Sequence, residues 1–342
     1  MPSHLLGRVG GERMPCTTLR AMDSSISLER VRRAAEVIDP AFLHSPQYDC
    51  EPLSARLGVT TILKVETVNP IRSFKGRGTD FLIHELVAPD RGFVCASAGN
   101  FGQGMAYACR KRYIPLTVYA AHTASPLKIE RMRSLGAKIE LEVGDFDQAK
   151  DAARRHAAEH GQIFIEDGKL GAIAEGAATM AKELADAVEL DAVFVPLGNG
   201  SLVNGVGTWL KHASPQTQVI AVCAKDAPSM ALSWKAHRAI DAPSNSIADG
   251  IAVRVPVPEA VEIMAGAVDD VVLVSDEEML QWMRHLLSDA GLIVEPSATA
   301  GLAAIAQRSR ELAGKRVAAI LTGGNLTEQQ MKDWLGLSLQ VG

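Results

Sequence analysis

Short apolar runs rich in β-branched residues recur along this chain, and longer amphipathic segments separate them. The runs fall at residues 62–65, 92–96, 116–120, 138–141, 162–165, 192–196, 218–222, 271–274 and 317–321. Most carry apolar residues at successive positions, so both faces of such a strand must be covered. Helical patterns fill most gaps, at 102–112, 125–135, 146–160, 173–184 and 276–290. Another helix opens at Ser27, with Val31, Ala34, Ala35 and Ile38 on one side, and stops before Pro40. Buried strands alternating with helices predict α/β architecture with parallel sheets. At 342 residues the chain is long enough for about two domains, and no internal repeat or low-complexity linker marks a boundary.

The net charge of -5 gives no broad basic surface for nucleic acid. No apolar run approaches the roughly 20 residues of a membrane helix. Cys16, Cys50, Cys95, Cys109 and Cys223 lie far apart without a C-x-x-C pair. That argues for reduced thiols in a reducing, cytoplasmic setting rather than disulfides or zinc. Residues 1–26 lack periodicity and the apolar core of a signal peptide. They read as a disordered extension, or as an over-long start with Met14 or Met22 as the true first residue. A short transit peptide, suggested by Arg8, Arg13 and Arg20, is the less favoured reading.

Three segments carry chemistry. S-F-K-G-R-G at 73–78 presents one amine, Lys75, just after an apolar run. S-A-G-N-F-G-Q-G at 97–104 and P-L-G-N-G-S-L at 196–202 are glycine-rich turns between a strand and a helix. Such turns can bring backbone N–H groups to an anion at a helix start. An amine nucleophile with two glycine-rich turns, one of them able to hold a phosphate, is what a pyridoxal-phosphate enzyme needs.

Further segments fit the same pattern. They are L-K-V-E-T-V-N-P-I-R leading into Lys75, K-I-E-R-M-R-S-L-G-A at 128–137, I-A-D-G-I-A-V at 247–253, V-E-P-S at 294–297 and L-T-G-G-N at 321–325. In this order the chain resembles the fold-type-II pyridoxal-phosphate enzymes over about residues 27–335. Within them it is similar to the serine/threonine dehydratase and serine racemase group, the threonine ammonia-lyases included. The resemblance implies a tryptophan synthase β-like fold, two α/β domains with the cofactor in the interdomain cleft. The large domain would comprise 27–79 and 168–342, and the small mobile domain 80–167. Little chain follows Thr322, so the feedback regulation of longer dehydratases is not expected.

The resemblance also implies roles. Lys75 is the catalytic residue and the point of covalent cofactor attachment, with Phe74 beside it. Gly198, Asn199, Gly200 and Ser201 bind the phosphate, although the family more often has four glycines there. Asn100 hydrogen-bonds the cofactor ring, Thr322 faces its pyridine nitrogen, Gly250 lies against its edge and Glu295 near its rim. Ser97, Ala98, Gly99, Asn100 and Phe101 hold the substrate carboxylate through backbone N–H groups. Phe101 stands where histidine is common, which leaves substrate preference open.

Two departures narrow the reaction. Ala98 replaces the serine that racemase members use on the face opposite the lysine, so inversion lacks its second base. Cys223 stands about where a carboxylate metal ligand is expected, leaving Asp226 alone, so no metal is assigned. The expected activity is α,β-elimination from a β-hydroxy or β-substituted amino acid, giving a 2-oxo acid and ammonia. The rivals are β-replacement of the cysteine synthase kind, racemisation, and a non-catalytic cofactor-binding protein. A homodimer with a small amino-acid substrate, and no nucleic-acid or membrane partner, completes the expectation. The acidic pairs Asp145/Asp147 and Asp269/Asp270 read as helix caps and solvated loops.

Overall fold

The computed structural model describes residues 23–86 and 91–337, together with the backbone of a short antiparallel pair, β1 (Arg8–Val9) and β2 (Glu12–Arg13). The remaining strands are β3 (Gln47–Asp49), β4 (Thr60–Val65), β5 (Phe93–Ala96), β6 (Leu116–Ala121), β7 (Lys138–Glu142), β8 (Ile163–Ile165), β9 (Ala192–Pro196), β10 (Gln218–Ala224), β11 (Asp270–Val274) and β12 (Arg316–Leu321). The helices are α1 (Leu28–Val37), α2 (Glu51–Leu57), α3 (Lys75–Glu85), α4 (Asn100–Lys111), α5 (Pro126–Ser134), α6 (Phe146–His160), α7 (Gly171–Ala187), α8 (Ser201–Ala213), α9 (Ser229–Ala236), α10 (Pro258–Ala267), α11 (Asp276–Ala290), α12 (Pro296–Gln307) and α13 (Glu328–Leu335).

The chain forms two compact units, one of residues 1–39 with 75–176 and one of 40–74 with 177–342. The first holds a four-stranded parallel sheet in the order β7-β6-β5-β8. Val94 and Ala96 of β5 pack on Ala153 and Ala157 of α6, all buried. Asp145 opens α6 with a capping box, its carboxylate accepting from the Asp147 and Gln148 N–H groups at 3.0 and 3.1 Å. The sequence reading placed α1 in the other domain and began the smaller one at residue 80. Here α1 joins this unit because Glu175 accepts from the Ser27 N–H at 2.9 Å and from Arg30 at 2.7 Å. Asp23–Ile26, counted in the N-terminal extension, are also engaged: the Gly171 N–H donates to Asp23 O at 2.7 Å. Most of residues 1–22 lies outside the described residues.

The second unit holds a six-stranded sheet in the order β11-β10-β9-β12-β4-β3. Five strands are parallel, and β9, A-V-F-V-P, is buried at every position. Leu63, Phe194, Val222, Ala319 and Leu321 from its strands form one core with α11 and α12. Burying each of the leucine, valine and phenylalanine side chains contributes about 1.5–3 kcal/mol. The edge strand β3 was not anticipated. It is only Q-Y-D and pairs antiparallel to β4, so it shows neither length nor apolar alternation. A lysine inside the buried β4 is satisfied from three places: Lys64 donates to Gln47 Oε1 of β3 at 2.9 Å and to Ser45 O just before β3 at 3.0 Å, and pairs with Glu183 of α7. Asp269 binds Lys211 and the Val219 N–H, and Asp270 pairs with Arg308, as ordinary structural carboxylates do.

Candidate active site

In the second unit, two distant motifs are laced together. Strands β4 and β12 run side by side, with Val65 opposite Leu321, so the loops leaving both strands start together. The Phe74 N–H and the Ser73 hydroxyl both donate to Thr322 O, at 3.0 and 3.2 Å. The Gly324 N–H donates to Arg72 O at 3.0 Å, and the Asn325 amide to Ile71 O at 2.9 Å. Asn69 organises the same loop from inside, accepting from the Ile71 and Ser73 N–H groups, both at 3.2 Å. Phe74 and Thr322, both sequence candidates, are therefore joined and buried.

Contacts continue from there. The Glu295 N–H donates to Gly323 O at 3.0 Å. Ser297, two residues on, donates to Glu295 Oε1 at 3.4 Å. A Cβ on Gly250 would stand 2.7 Å from Ser297 Oγ, and a Cβ on Gly198 would stand 2.6 Å from Gly250 O. Only glycine permits that approach. Gly200 then turns the chain in the left-handed region, φ 97°, and serves as the N-cap of α8 without a side-chain cap bond. Ser201, the first residue of the helix, is buried. Phe74, Thr322, Glu295, Gly250 and the 198–201 turn are thus one continuous set within this unit. Ser297, from the V-E-P-S segment, is the side chain that Gly250 packs against.

In the first unit, Lys75 is the first residue of α3, and the Thr79 hydroxyl donates to its carbonyl at 2.9 Å. Its Nζ lies 2.6 Å from Asp167 Oδ2 and 5.9 Å from the centroid of the Phe101 ring. The side chains of Lys75 and Asp167 are 15% and 12% exposed. Asp167 was missed by sequence reading. The only sign was E-D-G following the β8 run, which reads equally well as a loop.

The turn at 97–101 corrects one expectation. The Ser97 N–H was assigned to a substrate carboxylate, but it donates to Tyr119 O at 2.9 Å as the last bond of the β5–β6 ladder. Ser97 contributes its hydroxyl instead, accepting from the Gly99 and Gly102 N–H groups at 3.2 and 2.9 Å. The Gly99 N–H is thereby committed to Ser97 as well. Helix α4 begins at Asn100 rather than Gly102, so Asn100 and Phe101 form its first turn, where N–H groups lack intrahelical partners. Ala98 and Gly99 precede it, and a Cβ on Gly99 would meet nothing within 4 Å. The turn is open on that side.

Each unit by itself carries groups whose chemistry suits pyridoxal phosphate. Lys75 is an amine for its carbonyl. The 198–201 turn combines a close glycine backbone with a helix N-terminus, which suits a phosphate. Thr322 supplies a buried hydroxyl and no charge. Burial pushes the Cys223 thiol up to about 12. Among the described residues no three His, Cys, Asp or Glu side chains form a metal-holding group, and no helix is long and apolar enough to cross a membrane.

Comparison with known proteins agrees with this inventory. The chain is 33% identical to an L-threonine ammonia-lyase of Thermotoga maritima over 305 residues, 88% of this chain and 76% of that one. It is similar in structure to the processed form of threonine deaminase isoform 2 from Solanum lycopersicum, with TM-score 0.83, 25% identity, and 96% and 98% of the two chains covered. Maize serine racemase gives TM-score 0.85 at 26% identity, covering 90% and 96%. Residues 38–323 match the pyridoxal-phosphate dependent enzymes. With the lysine, the glycine turn and that match over most of its length, this chain belongs to the pyridoxal-phosphate dependent enzyme family.

Proposed function

We propose that this protein is an ammonia-lyase that removes water from a β-hydroxy amino acid, serine or threonine first, and releases a 2-oxo acid and ammonia. The observation that carries the reading is the 33% identity to a threonine ammonia-lyase across 88% of a chain whose Lys75 amine stands at the head of α3. Pyridoxal phosphate, when bound, supplies an electron sink conjugated to the substrate Cα. The chain's own residues do the rest. Lys75 holds the cofactor and, once released, takes the Cα proton. The N–H groups of Ala98, Asn100 and Phe101 hold the substrate carboxylate, and the Asn100 amide orients the ring. The 198–201 turn holds the phosphate. Thr322 would meet the bound cofactor with a neutral hydroxyl in place of a carboxylate, a partner that suits elimination.

Racemisation is a second reading, favoured by the likeness to maize serine racemase. Ala98 weighs against it, because its methyl group can neither give nor take a proton. The protein acts in the cytoplasm as a homodimer on this proposal, without nucleic-acid or membrane partners. The test is a panel of L-serine, L-threonine and other β-substituted amino acids assayed for ammonia and 2-oxo acid without added thiol. Ammonia and 2-oxo acid from a β-hydroxy substrate are expected. Turnover only when a thiol is supplied would make the protein a β-replacement synthase. No turnover by cofactor-loaded protein would make it a binding protein.

A further inference from the structure

We propose that Asp167 is the positioning residue for Lys75: it receives the amine whenever Lys75 is not bonded to the cofactor, and it balances the charge that amine acquires on taking the Cα proton. The proposal rests on the elimination reading above. Its observation is the 2.6 Å contact between Lys75 Nζ and Asp167 Oδ2, made by two side chains that are only 15% and 12% exposed.

The pair is held from both ends. Lys75 is fixed at the head of α3, where the Thr79 hydroxyl binds its carbonyl. Asp167 lies in the connection between β8 and α7, beside Glu166. Burial would raise the Glu166 carboxyl, but Arg154 and Lys150 outweigh it and hold it below the usual carboxylate range. Arg154 lies 2.8 Å and Lys150 3.2 Å from Glu166, and both come from α6. The stretch carrying Asp167 is therefore anchored by its neighbour. Glu166 is spent on α6, whereas Asp167 reaches the lysine. Phe101 adds the face of its ring 5.9 Å from the same nitrogen.

The chemistry requires such a partner. In elimination the Lys75 lone pair takes the proton from Cα. The C–H electrons form the Cα–Cβ double bond, and the C–O electrons depart with the β-hydroxide. Lys75 is then an ammonium in a largely desolvated place. An ammonium without a counter-charge is costly there, and a carboxylate at hydrogen-bond distance removes that cost. The ammonium later gives up the same proton, so the free amine is restored and water is the net loss.

The experiment uses cofactor-loaded wild type, Asp167→Asn and Asp167→Glu. Borohydride reduction and peptide mass mapping locate the cofactor, and visible absorbance gives its occupancy. Proton NMR in D₂O follows loss of the Cα proton of L-alanine, which has no β-leaving group. Steady-state kinetics with L-serine complete the set. All three proteins are expected to carry the cofactor on Lys75. Asp167→Asn is expected to slow alanine exchange and serine kcat by about tenfold or more, with KM changed by less than about threefold. Asp167→Glu, which restores the charge, is expected to recover most of that loss. Wild-type alanine exchange in Asp167→Asn overturns the proposal. So does loss of folded or loaded protein in both variants in proportion to the lost rate, since the pair is then structural. Cofactor on another lysine in the wild type overturns the attachment reading itself, and that outcome is visible before any variant is made.

Discussion

The Phe74 N–H donates to Thr322 O at 3.0 Å, so the residue preceding the candidate lysine is stitched to the first residue after β12. That bond fixes the backbone from which Lys75 departs. It also sets Thr322 by its carbonyl, leaving the hydroxyl to other uses. The register Val65 opposite Leu321 is its cause: two parallel strands in step deliver their following loops to one place.

Cofactor attachment is the first consequence. Wild-type protein loaded with pyridoxal phosphate should absorb in the visible, and borohydride should remove that band and leave the label on the Lys75 peptide. Lys75→Ala should abolish the label and lower elimination by roughly 10²–10⁴-fold or more. Label on another lysine would defeat the assignment.

Ala98 governs the balance of two reactions. Wild type should eliminate from L-serine far faster than it inverts it. Ala98→Ser should raise inversion relative to elimination, because a hydroxyl then stands in the turn that precedes α4. Chiral chromatography of residual serine beside 2-oxo acid assay measures both rates. Equal rates in the wild type would show that water or another group serves the opposite face.

Gly198 has no room for a side chain, since a Cβ would stand 2.6 Å from Gly250 O. Gly198→Ala must push apart the turn and the segment packed on it. Overpacking costs about 1–3 kcal/mol, and every ~1.4 kcal/mol is tenfold in affinity. Cofactor retention, read by dialysis and absorbance, should fall by about tenfold. Unchanged retention with unchanged melting temperature would show that this backbone does not cradle the phosphate.

Away from the site, Asp289 reports on acid stability. The Arg56 guanidinium, 2.6 Å away, holds its carboxyl down at about 2. The folded value lies below the unfolded one, so the stabilisation is complete above the unfolded value near 3.9 and drains away as pH falls toward 2. Asp289→Asn should lower the urea midpoint modestly at pH 6, as a solvent-screened pair does. The gap from wild type should narrow between pH 4 and pH 3. A gap that widens there would contradict the pairing.

The alternation of strand and helix is legible in local patterning, most closely where patterns are long. Helices 146–160 and 276–290 and strand 192–196 stand at the anticipated residues, because apolar periodicity and caps such as Asp145 act locally. The motif order also identified the family and placed an amine and two glycine turns beside strand ends. What it did not hold was pairing at a distance. β3 is three residues of unremarkable composition and exists because Lys64 and its strand accept it. The Ser97 N–H looked available for an anion until the β5–β6 ladder claimed it. Asp167 reads as loop, and only the fold brings it to Lys75 across more than ninety residues of chain. The physical reason is common to all three. Local sequence fixes the backbone conformation of an element, but which donor meets which acceptor depends on how elements pack, and that is decided by the tertiary structure.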